Sequence, residues 1–204
     1  MVLTLTASKT GTMTATPDLR LYDQLLQFPL FQGLSRNELL LMAGNTKFGF
    51  LKLDAGKTVV RVDDTATQFF FLITGALSVS TSSDDHGYTV TERLSAPWLL
   101  QPEILFGATV RYGATVKTVT TSHFITIGKE EVMRLLDDFL IIRLNLLNLL
   151  STQAQRRTHL VWRRCPLTLR ERIIRFLLDH SVYPAGPKMF SILMVRLAQE
   201  VNAS

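Results

Sequence analysis

The sequence predicts an α+β chain in which a β jelly roll is set between helical segments and a long helix leads into a basic C-terminal segment. Three observations predict it. Apolar residues alternate with period two from Phe48 to Ile127 and with helical spacing on either side. Two apolar stripes, mostly leucine, run side by side between Asp138 and Arg163. Positive charge collects at the end of the chain: residues 153–204 carry 9 Lys/Arg against 3 Asp/Glu, while residues 1–152 carry 13 against 14.

Composition narrows the choices further. Of 204 residues, 47% are hydrophobic and 19% charged, an ordinary globular balance with length for a sizeable core. The single cysteine, Cys165, excludes a disulfide framework, a cysteine-ligated zinc site and a four-cysteine iron–sulfur cluster within one chain. No apolar run reaches the ~20 residues of a membrane span. The first 18 residues lack a basic start followed by an apolar core, so they do not read as a signal peptide. The expectation is a cytoplasmic protein without membrane partners.

Residues 1–18, rich in threonine, read as a loose extension. Residues 19–28 follow helical spacing, with Leu21, Leu25, Leu26 and Phe28 near one face, and Pro29 stops them. Ser35 and Glu38 form a capping box before the run LLLMA and so begin a second helix. Seven short strands rich in Val, Thr and Phe follow: Phe48–Leu53, Thr58–Val62, Gln68–Thr74, Ala76–Ser82, Tyr88–Leu94, Ala114–Thr120 and His123–Ile127. Turn residues separate them, as at Gly56, Asp63-Asp64, Gly75 and Asp84-Asp85-His86-Gly87. Such spacing argues for a sandwich or barrel, here a jelly roll. The segment 95–113 interrupts the rhythm with two prolines and two glycines, and a loop of that length inside a barrel is usually functional.

Helical spacing resumes at Lys129. A short helix runs over 129–136, and Asp137 or Asp138 can cap a long helix reaching about Arg163. Along it Phe139, Ile142, Leu146, Leu149, Gln153, Arg156 and Leu160 advance in alternating steps of three and four, a coiled-coil seam. Leu140, Leu144, Leu147 and Leu150 form a second stripe beside it. A helix of ~25 residues spans roughly 37 Å, longer than one small barrel covers. The first stripe is therefore expected to be the interface of a homodimer, with Leu146→Glu shifting it toward monomer. Cys165-Pro166 ends the helix, and Thr168 with Glu171 makes a second capping box before IIRFLLDH. A short strand Met189–Leu193 and a final helix Val195–Val201 complete the chain, with Asn202 placed for a left-handed turn.

Catalytic chemistry finds no support in the residues. His86, His123, His159 and His180 sit in different elements without ligand spacing, so no metal site is expected. The carboxylate pairs Asp84-Asp85 and Asp137-Asp138 are explained by turns and caps. There is no phosphate loop and no nucleophile elbow. The run Phe69-Phe70-Phe71 reads as strand core. The expectation is a non-enzymatic protein with no certain cofactor.

The order of parts carries a resemblance. Pro29-Leu30-Phe31-x-Gly33-Leu34-Ser35-x-x-Glu38-Leu39, the barrel, the long helix and Arg196-Leu197-Ala198-x-x-Val201-Asn202-Ala203-Ser204 together resemble the Crp/Fnr (catabolite-activator-protein-like) transcription regulators, from about residue 20 onward. The resemblance implies a cyclic-nucleotide-binding-like jelly roll over 19–136, a dimerisation helix over 137–164 and a winged helix-turn-helix over 165–204. The last of these is incomplete, since its recognition helix would begin at Ser204 and base-reading residues are absent from the sequence. Double-stranded DNA and a second copy of the chain are the implied partners, with RNA polymerase a candidate third. Arg170, Arg196 and Ser204 are the implied DNA-proximal residues, and a basic segment on a neutral body agrees with a polyanion partner. The alternative is a ligand-sensing or protein-interaction module without DNA binding.

The resemblance also locates an effector pocket: Glu103, Arg111, Tyr112, Gly113 and Ala114, with Arg157 and Thr158 on the long helix at positions that face the ligand. The family's phosphate cassette has a Gly-Glu pair and an Arg-Ser pair. Here Pro102 stands in place of the glycine, Tyr112 in place of the arginine and Gly113 in place of the serine. A buried phosphate without its guanidinium is left unpaired, at a cost of several kcal/mol. The sequence therefore disfavours a cyclic nucleotide and leaves a small acidic effector as the candidate ligand, with Arg157 to meet it.

Overall fold

The computed structural model describes residues 17–161, 166–181 and 186–203. Most of the expected N-terminal extension, the Cys165 hinge and the Ser204 cap position thus lie outside the described residues. Pro17 opens α1 (Pro17–Leu25), where a missing N–H costs nothing. Pro29 seeds a 3-10 turn over Pro29–Phe31 that drives Phe28, Leu30 and Phe31 into the core. In α2 (Arg36–Asn45) the capping box is complete: the Glu38 amide donates to Ser35 Oγ at 3.3 Å and the Ser35 amide to Glu38 Oε2 at 2.8 Å. The Ser35 hydroxyl, and after it the Ser35 amide, stabilise the Glu38 carboxylate and hold it below its ordinary range.

The seven expected strands form close to their expected places and an eighth, β6, arises inside the segment read as irregular: β1 (Phe48–Leu53), β2 (Thr58–Val60), β3 (Gln68–Thr74), β4 (Ala76–Ser82), β5 (Tyr88–Ser95), β6 (Trp98–Leu99), β7 (Thr115–Thr118) and β8 (Ser122–Gly128). They build two antiparallel sheets, ordered β1-β8-β3-β6 and β2-β7-β4-β5, in a jelly-roll arrangement. Phe71 lies at the centre of the core, with ring contacts to Phe28, Phe31 and Phe69 at 5.0, 5.4 and 6.1 Å. Phe69 and Phe70 are buried too, as a core strand requires. Gly75 makes the tight β3–β4 link at φ +105°, where a Cβ would come within 2.8 Å of the Ser122 backbone. The irregular segment 95–113 contributes the short β6 to the first sheet, and Leu100, Pro102 and Leu105 pack inward from the turns that follow.

Two helices follow, α3 (Lys129–Asp138) and α4 (Leu140–Val161). The break falls at Phe139, whose φ/ψ of −123°/99° is extended, so Asp137 and Asp138 close α3 instead of capping α4. Asn145 holds α4 to the 3-10 turn by donating to the carbonyls of Leu30 and Gln32 at 3.1 and 2.7 Å.

The C-terminal unit comprises α5 (Leu169–Asp179), β9 (Lys188–Ile192) and α6 (Met194–Glu200). The Thr168–Glu171 capping box forms, and Asn202 adopts φ +49° after α6. The sequence places β9 in the C-terminal unit alone; the structure adds it to the outer edge of the barrel, antiparallel to β5, making that sheet five-stranded.

Candidate functional site

A cavity of about 380 Å³ lies between α4 and the turn that follows β6, lined by Glu103, Phe106, Gly107, Leu150, Gln153 and Ala154. Phe106 is steadied by an edge contact to Phe69 at 6.2 Å and by Lys129 Nζ, 5.4 Å from its ring centre. Gln153 Oε1 is buried there without a hydrogen-bond partner among the described residues. An acceptor left bare in a cavity wall costs about 1–3 kcal/mol and favours a ligand that donates to it.

The residues expected to form the effector pocket divide between two places. Glu103 lines the cavity, and Gln153, expected in a dimer seam, lines it as well. The stretch 111–114 does not reach it. Arg111 is exposed, pairs in an isolated bridge with Thr65 and donates from Nη1 to the Asp63 carbonyl at 2.8 Å. Tyr112 is 3% exposed and packs into the hydrophobic core, its backbone clasped by Asp63 and Asp64 through bonds of 2.8 and 3.0 Å. Burial, helped by the Asp64 charge, pushes its phenol up to about 12, so it stays neutral and offers no charge to an anion. Gly113 faces open space and Ala114 is buried in the core. The stretch lies before β7, and the bonds of Asp63 and Asp64 to the Tyr112 backbone hold the Tyr112 side chain inward while Arg111 stays at the surface. Thr158 is exposed and its hydroxyl donates to the Ala154 carbonyl at 3.0 Å, while the side chain of Arg157 lies outside the described residues.

The expected dimer seam also requires correction. Phe139, Ile142 and Leu146 are buried against the chain's own barrel and 3-10 turn, with Ile142 1% and Leu146 5% exposed. They cannot meet a partner. Leu149 is half-buried, Arg156 exposed, and the Leu160 side chain lies outside the described residues. The open face is the other stripe: Leu140, Leu144 and Leu147 are 63%, 46% and 55% exposed. It continues in the same 4-3-4-3-4 steps through exposed Ser151, Ala154 and Thr158, small side chains that let a second helix approach closely.

The basic C-terminal segment shows less free charge than its composition suggests. Arg172 Nη1 donates to the carbonyls of Val201 and Asn202 at 2.9 and 2.6 Å, capping α6. Arg175 pairs with Asp179 at 2.8 Å. Arg196, expected near DNA, pairs with Asp85 at 2.7 Å and Glu200 at 2.8 Å. Arg170 remains exposed on the first turn of α5. Sequence reasoning missed the barrel-facing partners of Arg196 and Lys188, because the groups that meet them lie about 100 residues earlier in the chain. No cluster of His, Cys, Asp or Glu suited to a metal ion occurs among the described residues. No described helix is long and apolar enough to cross a membrane.

Comparison with known proteins agrees with this architecture. Residues 50–139 match the cyclic nucleotide-binding domain family. The sensor domain of the transcriptional regulator DNR from Pseudomonas aeruginosa superposes with a TM-score of 0.59 at 23% identity, covering 73% of this chain and 98% of that one. A longer DNR structure from the same organism has 26% identity and a TM-score of 0.51, covering 82% and 74%. The catabolite activator protein of Thermus thermophilus has 17% identity and a TM-score of 0.56, covering 87% and 81%. No curated protein matches the sequence closely enough to count. Residues 50–139 thus resemble the cyclic nucleotide-binding domain family, in a fold shared with the DNR sensor domain.

Proposed function

We propose that this protein is a homodimeric, DNA-binding transcription regulator of the Crp/Fnr type and not an enzyme. Its barrel senses an effector in the cavity beside α4, and α4 transmits occupancy to the C-terminal unit. The observation that carries the reading is the position of α4. One face floors the cavity with Leu150 and Gln153, and the adjacent face offers Leu140, Leu144 and Leu147 to a second copy. A ligand that shifts this helix alters the dimer seam, and with it the spacing of two DNA-binding units.

The effector fits the cavity's chemistry better as a small molecule carrying hydrogen-bond donors on an apolar body than as a cyclic nucleotide. Glu103 and the Gln153 carbonyl oxygen accept, while Phe106, Leu150 and Ala154 supply the apolar walls. A cyclic phosphate would require a guanidinium where Tyr112 is buried. No described Lys or Arg is among the residues lining the cavity, and the cation described beside it is Lys129, over Phe106, so the wall offers an acidic effector little. No described surface supports a contact with RNA polymerase.

A sensing module without DNA binding is the second reading, and the internal pairing of Arg172, Arg175 and Arg196 favours it. Native mass spectrometry of the purified protein, followed by salt-dependent binding to a mixed-sequence duplex, separates the two. A dimer that binds the duplex with a steep salt dependence supports the regulator. A dimer that carries a small-molecule adduct and binds no duplex supports the sensing module, and a monomer without adduct overturns both.

A further inference from the structure

We infer that the C-terminal unit is held against the sensing barrel in an autoinhibited state, with Asp85 occupying the Arg196 guanidinium that DNA phosphate would otherwise engage. This rests on the proposed DNA-binding reading for its consequence, but the held contact itself stands on geometry.

The backbone makes the first link. Strand β9 adds to β5 over five residue pairs, from Tyr88↔Ile192 to Glu92↔Lys188, and the Arg93 amide donates to the Pro187 carbonyl at 3.3 Å. Strand addition of this kind supplies affinity through main-chain bonds and covers an edge that would otherwise be open. Side chains set the register. Glu92 is 4% exposed, and Lys188 Nζ lies 3.5 Å from its carboxylate, so a slip of one residue would move the cation to the other face of the sheet. Phe176 of α5 closes on Tyr88 at 5.5 Å and on Phe190 of β9 at 6.4 Å, while His180 stands 5.2 Å from Tyr88.

The hairpin between β4 and β5 makes the second link. Asp85 is fixed by the Ser83 hydroxyl at 2.8 Å and the Gly87 amide at 3.0 Å, and in that position its Oδ2 meets Arg196 Nη2 at 2.7 Å. Glu200 meets the same Nη2 at 2.8 Å, so that nitrogen already serves two carboxylates and a DNA phosphate must displace one of them to engage it. The contact is also built to release. Leu167, Leu193, Met194 and Val195 stay largely exposed, so among the described residues the unit rests on the barrel through one strand, one aromatic cluster and two ion pairs without being sealed there.

Two variants of the whole chain test this. Asp85→Asn keeps an acceptor for Ser83 and Gly87 but removes the barrel's carboxylate from Arg196, leaving it only Glu200 of its own helix. Thr89→Cys with Ser191→Cys, in a Cys165→Ser background, places thiols on directly opposed residues within reach of a disulfide. Amide hydrogen exchange reports docking, and fluorescence anisotropy with a labelled mixed-sequence duplex at low salt reports its consequence. The expected result is faster exchange of the β5 and β9 amides in Asp85→Asn, unchanged exchange in β3 and β8, and duplex binding tightened severalfold. The oxidised double-cysteine protein should lose duplex binding, and reductant should restore it. Unprotected β5 and β9 amides in the wild type would overturn the held state. Equal duplex affinity of the oxidised and reduced double-cysteine forms would overturn autoinhibition. Loosened exchange in Asp85→Asn with no duplex bound by any form would uphold the docking and reject the DNA-binding reading instead.

Discussion

Phe71 and Phe176 are both buried phenylalanines, and the way each is buried separates the two halves of the molecule. Phe71 is enclosed by Phe28, Phe31 and Phe69, all from residues that precede or form the barrel. Phe176 is enclosed by His180 of its own helix, by Phe190 of β9 and by Tyr88 of the barrel. The barrel closes its core on itself. The C-terminal unit completes its packing on the barrel's edge and leaves Leu193, Met194 and Val195 open. A domain with an autonomous core unfolds as a whole, whereas a unit that leans on another can detach while both stay folded.

The sharpest way to break this contrast is to truncate both rings. Phe71→Ala should cost about 3–5 kcal/mol and lower the melting temperature of the entire protein, because the cavity it leaves has no room to collapse. Phe176→Ala should leave the barrel's melting transition nearly unchanged while abolishing hydrogen-exchange protection in β9 and α6. Circular dichroism melting combined with exchange mass spectrometry reads both. Equal losses of barrel stability in the two variants would show that the halves form one cooperative unit.

The next comparison is between two leucines one residue apart on α4. Leu146 faces the barrel and Leu147 faces solvent, 5% and 55% exposed. Leu147→Glu should weaken self-association by at least about a hundredfold, since an unpaired charge in a packed seam costs several kcal/mol. Leu146→Glu should instead destabilise the barrel. Sedimentation velocity of the two variants checks the assignment, and an unchanged dimer in Leu147→Glu would move the seam elsewhere.

These pairs also show which features could be read from sequence. The barrel strands were legible because a half-buried strand must alternate, and β3 and β4 fall at the expected residues. Both capping boxes were legible because the chemistry is local, three residues apart. The facing of α4 was not. Both of its apolar stripes advance by threes and fours, and contacts with residues more than 100 positions earlier, such as Asn145 bonding to Leu30 and Gln32, go with the stripe that turns inward. Of the residues expected to form an effector pocket, Glu103 alone lines the cavity among those whose side chains are described. The burial of Tyr112 depends on the 61–64 turn clasping its backbone from about 50 residues away. The pairing of β9 with β5 spans some 100 residues, and no local pattern in Lys188–Ile192 announces it.

The smallest expected effect is the most direct measure of how far the two halves are independent, because the same device occurs once in each. Ser35 and Thr168 both cap a helix, each accepting from a glutamate amide three residues on, at 3.3 and 3.2 Å. Replacing either with alanine should cost its helix about 1 kcal/mol. Ser35→Ala should subtract that from global stability, since α2 buries Leu39 and Met42 in the barrel's core. Thr168→Ala should act on α5 and leave the barrel transition in place. The first variant carries its own control in pH. Ser35 is the main reason Glu38 titrates below its ordinary range, so this contribution is fully present above the unfolded pKa. It disappears as pH falls through the lowered folded value. The stability gap between wild type and Ser35→Ala should therefore narrow in acid, toward what the hydroxyl contributes alone. Denaturant titrations at neutral and acid pH measure it, and a gap that stays constant would assign the loss to the Ser35 hydroxyl alone, with no part for Glu38.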